Sequence, residues 1–127
     1  MIVSIGTDLM EVPRMRSALE RLGARFERRI FTAAESAYCR KRYNFAESFA
    51  ARFAAKEAVM KALGTGWRSG VRWVDIELSR APGQAPTILL HGAAAEHAKR
   101  LKIQKFLLTL THTSELAQAI VLAESND

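Results

Sequence analysis

The stretch RFAAKEAVMKALGTG, residues 52–66, combines the pattern of a buried helix with an unusual amount of charge. From about Glu47 to Leu63, apolar side chains recur at helical spacing, which predicts a helix that packs on a core. Gly64 then follows, as is common for the residue after a helix C-terminus. The apolar stripe consists of Phe49, Phe53, Met60 and Leu63. The charged side chains are Arg52, Lys56, Glu57 and Lys61.

Composition indicates one globular domain and an anionic partner. The chain has 127 residues, of which 49% are hydrophobic, so residues 1–127 are expected to form a single domain with a substantial core. The formal net charge is +6. Nine basic and three acidic residues lie between Arg14 and Arg42, so that segment holds the whole excess. An anionic partner would therefore meet mainly this N-terminal segment.

Several features favour a cytoplasmic protein without a membrane partner. Cys39 is the only cysteine, so the sequence builds no disulfide framework. No run of about 18 apolar residues is present to span a bilayer. The N-terminus MIVSIGTDLM lacks the basic start and cleavage site of a signal peptide.

The periodicity predicts an α+β fold with a largely antiparallel sheet packed against helices. A capping box at residues 32–35 opens one of the helices, and a helix that begins near Pro13 should stop at Gly23. The expected strands are 1–9, 71–79, 87–91, 105–113 and 116–124, the second and third forming a hairpin. The expected helical segments are 13–22, 24–30, 32–42, 47–63 and 92–101.

Two acidic residues raise the question of a metal site. Asp8 ends the first strand, where an aspartate commonly forms a turn. Glu57 lies four residues before Lys61, the spacing of an ordinary helical support pair. Alternatively, Asp8 and Glu57 together make an all-oxygen site that suits Mg²⁺, with Lys61 as a positive charge for the same phosphate. Spacing alone leaves both interpretations open.

The remaining local signals are weaker. The glycine pair Gly64 and Gly66 around Thr65 is either a helix cap or a place where backbone approaches a ligand, and it is no P-loop because the lysine precedes it. His112 stands at a strand end, where it serves as a structural histidine or faces a ligand.

Three blocks of the sequence resemble a known family. IGTDLMEVPRM, RFAAKEAVMKALGTG and LTLTHTSELAQAIVLAE are similar, in order and spacing, to the signature blocks of holo-acyl-carrier-protein synthases. These enzymes are the small bacterial members of the 4′-phosphopantetheinyl transferase family. The resemblance covers nearly the whole chain.

The resemblance implies transfer of 4′-phosphopantetheine from coenzyme A to a serine of apo acyl carrier protein, in fatty acid biosynthesis. It makes Asp8 and Glu57 the Mg²⁺ ligands and Lys61 a third catalytic residue that contacts the phosphates. Arg52 and His112 would approach the nucleotide end of coenzyme A, and the loop Gly64, Thr65 and Gly66 would line its pocket. We expect Arg52, Glu57 and Lys61 to share the exposed edge of their helix. The family implies a homotrimer with active sites between subunits.

By the same resemblance, the first helix would dock the acidic acyl carrier protein. The positions expected to contact the carrier are Arg14, Arg21, Arg25, Phe26 and Arg29.

Two other functions fit parts of the sequence. A small basic nucleic-acid-binding module would use the face between Arg14 and Arg42, but that segment has few aromatic residues for base stacking. It also leaves Asp8, Glu57 and His112 without a role, so no nucleic-acid partner is expected. A carrier-binding protein that has lost catalysis would not need the Asp8 and Glu57 pair. The proton acceptor for the serine is left open.

Overall fold

The computed structural model describes residues 1–66 and 69–126 and has the predicted α+β architecture. None of the described helices is both long and apolar enough to cross a bilayer. The elements are β1 (Ile2–Glu11), α1 (Val12–Ile30), α2 (Ala33–Arg40), α3 (Phe45–Leu63), a 3-10 turn (Trp73–Asp75), β2 (Ile76–Ser79), β3 (Thr87–Leu90), α4 (Gly92–Arg100), β4 (Lys105–His112) and β5 (Leu116–Glu124).

The strands within the described ranges form two antiparallel sheets. β5 lies in the middle of the larger sheet, between β1 and β4, and β2 pairs with β3 in a separate hairpin. The antiparallel pairing and the hairpin are confirmed. Central β5 brings the ends of β1 and β4, which are far apart in sequence, to one edge of the molecule.

Local signals in the sequence located several boundaries. Thr32 Oγ1 accepts the backbone N–H of Glu35, and Glu35 Oε1 accepts that of Thr32, which completes the predicted capping box. Gly23 interrupts α1 with a φ of 68°, so the helix breaks where predicted and then resumes. Gly64 caps α3 in the left-handed region, with a φ of 75°.

One predicted strand is only half right. Residues 71–79 alternate like a strand, but only Ile76–Ser79 pairs. Asp75 Oδ2 accepts the backbone N–H of Arg72 at 3.0 Å, and Asp75 Oδ1 accepts the Arg72 guanidinium at 2.9 Å. These bonds close a 3-10 turn and override the local β pattern.

Helix α3 packs almost directly on the backbone of β1. A Cβ atom added to Gly6 would come 2.0 Å from the carbonyl oxygen of Ala58. The Ser4 hydroxyl donates to the carbonyl of Ala62 at 2.7 Å, one turn further along. Small residues on both elements therefore allow an approach that larger side chains would prevent.

The outer face of the larger sheet is apolar and exposed. The register places Ile5 opposite Leu122 and Leu122 opposite Leu107, so these three share one face. Ile5 is 63% exposed. The large apolar residues exposed on the three strands of this face are Val3, Ile5, Leu9, Leu107, Leu116 and Ile120. Such a contiguous patch is typical of an interface between proteins.

We expect Gly6→Ala to destabilise the protein by about 3 kcal/mol, because the new methyl meets backbone atoms that cannot move away. Gly83→Ala is the control, since its methyl meets no atom within 4 Å and only the φ of 75° opposes it, at about 1 kcal/mol. Urea unfolding measures both. Equal stabilities for the two variants would contradict the close packing of α3 on β1.

Candidate active site

Asp8 and Lys61 meet at the edge where β1 passes the last turn of α3. Lys61 Nζ donates to Asp8 Oδ1 at 2.9 Å and to the Thr7 carbonyl at 3.0 Å. The Asp8 side chain is 19% exposed and that of Lys61 55%. The pair is therefore accessible to a ligand from solvent.

Glu57 lies one turn before Lys61 and next to the same carboxylate. Partial burial raises the pKa of Glu57 above its usual range, and the negative charge of Asp8 adds to the rise. The Lys61 ammonium acts in the opposite direction. Two carboxylates thus lie near each other where Glu57 is partly buried, and a bound cation would offset their repulsion.

The donor set at this position fits Mg²⁺. It offers two carboxylates, and nowhere in residues 1–66 and 69–126 do three or more His, Cys, Asp or Glu side chains gather in a metal-binding group. Mg²⁺ characteristically takes one or two carboxylates and completes its shell with water and substrate phosphates. Asp8 and Glu57 are therefore suited to a magnesium ion that arrives with a phosphorylated substrate.

The loop after α3 has the geometry of a helix cap. The Thr65 backbone N–H donates to the Met60 carbonyl at 3.2 Å, and the Thr65 hydroxyl donates to the Gly66 carbonyl at 2.9 Å. A Cβ at Gly64 or Gly66 would meet nothing within 4 Å. The positive φ at Gly64 and at Gly66 therefore explains why both residues are glycine. That this loop contacts a ligand stays a prediction.

Arg52 and His112 lie together in a different cavity, of about 100 Å³. The Arg52 guanidinium lies over the Tyr38 ring, 4.1 Å from its centroid. Its Nε is buried and has no hydrogen-bond partner among the residues that the structure describes. Two further arginines, Arg42 and Arg80, line the cavity. The lining is suited to an anion.

The expectation that Arg52 shares an exposed edge with Glu57 and Lys61 is wrong. Arg52 is only 4% exposed, because five residues turn a helix by about 140° and point it to another side. His112 contacts Glu47, ten residues before Glu57, which is about 15 Å along a helix axis. Within one chain, the group of Asp8, Glu57 and Lys61 is therefore separate from the cavity of Arg52 and His112.

The residues expected to dock a partner fall into two groups, one that lines a groove on both sides of the Gly23 kink in α1 and one that does not. Arg14, Arg21 and Phe26 line a groove of about 260 Å³ with Phe53 of α3. Arg25 and Arg29 are exposed, and Arg29 lines a different cleft. The groove combines an apolar floor with two guanidinium groups at its edge.

The ion pair between Lys56 and Glu35 was not predicted from the sequence. Lys56 Nζ donates to Glu35 Oε1 at 2.8 Å, and both side chains are fully buried. Lys56 also donates to the carbonyls of Trp73 and Ile76. Burial lowers the pKa of Lys56, while Glu35 opposes that shift. A signal existed, since residue 56 falls on the apolar stripe and a lysine there needs a buried partner.

Other residues of the arginine cavity had no comparable signal. Tyr38 and Arg42 come from α2 and the turn after it, and Arg80 follows β2. Their sequence neighbourhoods resemble ordinary surface segments. Only the packing of α2 and the hairpin against α3 brings them to His112.

Comparison with known proteins decides the family. The model of the 4'-phosphopantetheinyl transferase superfamily matches residues 4–121. The chain is 50% identical over 125 residues to a holo-[acyl-carrier-protein] synthase of Solibacter usitatus, covering 98% of this chain and all of the relative. This chain belongs to the 4'-phosphopantetheinyl transferase superfamily.

Solved structures agree with this membership of the phosphopantetheinyl transferases. The holo-[acyl-carrier-protein] synthase of Neisseria meningitidis superposes with a TM-score of 0.88 at 30% identity, over 98% of this chain and 100% of the other. That of Helicobacter pylori, solved in complex with coenzyme A, gives 0.82 at 29% identity, over 94% and 99% of the two chains. The family resemblance inferred from the three sequence blocks is confirmed.

Proposed function

We propose that the protein is a holo-acyl-carrier-protein synthase, which transfers 4′-phosphopantetheine from coenzyme A to a serine of apo acyl carrier protein. Adenosine 3′,5′-bisphosphate is the second product. The observation that carries the proposal is the grouping of Asp8, Glu57 and Lys61 in a chain 50% identical to such a synthase. This reaction is part of fatty acid biosynthesis.

Asp8 and Glu57 would hold Mg²⁺ on the pyrophosphate of coenzyme A. When bound, Mg²⁺ neutralises phosphate charge and makes phosphorus more electrophilic. Asp8 would hold the ion from β1 and Glu57 from α3, and the close contact between these elements fixes the spacing of the two carboxylates. Preorganised charges of this kind avoid reorganisation during the reaction.

Lys61 would bind the same pyrophosphate as the ligand displaces its contact with Asp8. Its ammonium offsets the negative charge that develops as the bisphosphate leaves. The hydrogen bond from Lys61 to the Thr7 carbonyl keeps the ammonium at this edge before the ligand binds.

The arginine cavity would take the nucleotide end of coenzyme A, which carries a 3′-phosphate. Arg52 and His112 are its proposed contacts, and the loop Gly64, Thr65 and Gly66 would lie against the neighbouring pyrophosphate. The support is the cationic lining and the unpartnered Nε of Arg52. Guanidinium groups bind phosphates well because their donors match the oxygen geometry.

The separation of the Asp8, Glu57 and Lys61 group from the arginine cavity favours a homotrimer in which each active site lies between subunits. One copy would supply Asp8, Glu57 and Lys61, and its neighbour would supply Arg52 and His112. The apolar outer face of the larger sheet gives the copies a surface to bury. Assembly would thus complete the site.

The carrier would dock in the groove between α1 and α3. Arg14 and Arg21 would pair with acidic residues of the carrier, and Phe26 would contact an apolar side chain. Arg25 and Arg29 would extend the same contact beyond the kink. Residues 1–127 would act as a single transferase domain, and the unpaired thiol of Cys39 suits a cytoplasmic enzyme.

Incubation with Mg²⁺, coenzyme A and apo acyl carrier protein should add one phosphopantetheinyl group to the carrier, as seen by intact-protein mass spectrometry. Asp8→Asn and Glu57→Gln should each lower the rate at least about 100-fold, because each removes a charged metal ligand. Glu96→Gln, an exposed change on α4, is the control.

A second readout separates folding from metal binding. Addition of Mg²⁺ to the coenzyme A complex should raise the thermal midpoint of the control further but not that of Asp8→Asn. The proposed function fails if no carrier gains mass, and the metal site fails if both ligand variants keep near-normal rates.

Arg14→Glu should raise the KM for acyl carrier protein about 10-fold and leave the KM for coenzyme A unchanged, because it reverses a charge on the docking groove. Arg100→Glu makes the same charge change at the end of α4 and serves as the control. Steady-state kinetics with each substrate varied measure both. Equal losses for the two substrates would place the docking surface elsewhere.

Ile5→Lys should convert the trimer to a monomer, because it inserts a charge into the apolar outer face. Light scattering after gel filtration should then give 14.1 kDa instead of three times that mass. Lys102→Ala, at an exposed residue after α4, is the control. A wild-type protein that is monomeric in solution would contradict the shared active site.

A further inference from the structure

The His112 side chain is held by a carboxylate that the proposed chemistry does not use. Its Nδ1 lies 2.9 Å from Oε1 of Glu47. Glu47 belongs to the first turn of α3, whereas His112 ends β4. The Glu47 side chain is 17% exposed and that of His112 38%, so the contact is partly shielded from water.

This contact determines which ring nitrogen carries the proton. An ionised carboxylate only accepts hydrogen bonds, so Nδ1 of His112 must be the donor. In the neutral imidazole the lone pair is then on Nε2. Nε2 is left free to accept a hydrogen bond when the ring is neutral and to donate one when the ring is protonated.

The His112 ring, held by Glu47, lines the cavity of Arg42, Arg52 and Arg80. These three guanidinium groups are the charged neighbours that face the same space. The unpartnered Nε of Arg52 independently indicates that the cavity receives an acceptor group. A histidine with a single defined orientation adds a directional group to a cavity whose charged side chains are otherwise arginines.

We propose that Glu47 is a positioning residue, which orients His112 and holds its proton on Nδ1 so that Nε2 faces the nucleotide end of coenzyme A. This inference rests on the proposed function of the cavity. In metal sites, carboxylates likewise fix the tautomer and orientation of histidine ligands, and their loss weakens metal binding.

A simpler role for Glu47 has to be separated from this one. An acidic residue in the first turn of a helix stabilises it through the helix dipole. That role would change stability without any dependence on His112. The test must therefore measure the coupling between the two residues.

Nitrogen NMR of the imidazole rings tests the first part of the inference. In the wild-type protein, neutral His112 should carry its proton on Nδ1 alone, and in Glu47→Ala it should show a mixture of both tautomers. Glu115→Ala, which removes an exposed carboxylate from the turn after β4, should leave the tautomer unchanged. A wild-type ring protonated on Nε2 would overturn the inference.

A double-mutant cycle tests the second part. Glu47→Ala should raise the KM for coenzyme A about 10-fold, the effect expected for losing one charge-assisted hydrogen bond. The same substitution should have no further effect in the His112→Ala background. Additive effects, or an unchanged KM in Glu47→Ala, would overturn the positioning role of Glu47 but not the proposed function. Absence of transfer by the wild-type enzyme would instead overturn the proposed function.

Discussion

The contact between Gly6 of β1 and the Ala58 carbonyl of α3 is the constraint on which the rest of the structure depends. It allows the helix to lie directly on the sheet backbone. Asp8, two residues after Gly6 on the same face of β1, then reaches Lys61 at 2.9 Å. A strand and a helix that were held further apart would leave the two carboxylates unable to share one cation.

The charge on this central helix follows from the number of surfaces it touches. Lys56 points into the core and is neutralised by Glu35, which also accepts the backbone N–H of Leu78 at 3.1 Å. Arg52 points to the cavity with Tyr38, and Glu57 and Lys61 border solvent. A buried ion pair of this kind is strongly destabilising to break, because one charge would remain without a partner. Charge on α3 is therefore structural at one position and belongs to the proposed ligand sites at others.

Much of the fold was predictable because its signals are local. The capping box at Thr32 and Glu35, the cap at Gly64 and the alternation in β4 and β5 each depend on a few adjacent residues. The alternation of β1 did not reveal which face is buried, since the buried face carries Gly6 and the exposed face carries Ile5. That choice depends on α3. The link between Glu47 and His112, 65 residues apart, likewise depends on packing that no local pattern encodes.

The central claim is that the two ends of α3 serve different active sites, which form only between copies. Asp8→Asn and His112→Ala, each impaired alone, can be refolded together in equal amounts and assayed for transfer. Shared sites predict that mixing restores activity at about a quarter of the sites, those that pair an intact Asp8 with an intact His112 of a neighbour. Activity of the mixture that merely equals the average of the two separate variants would contradict the claim.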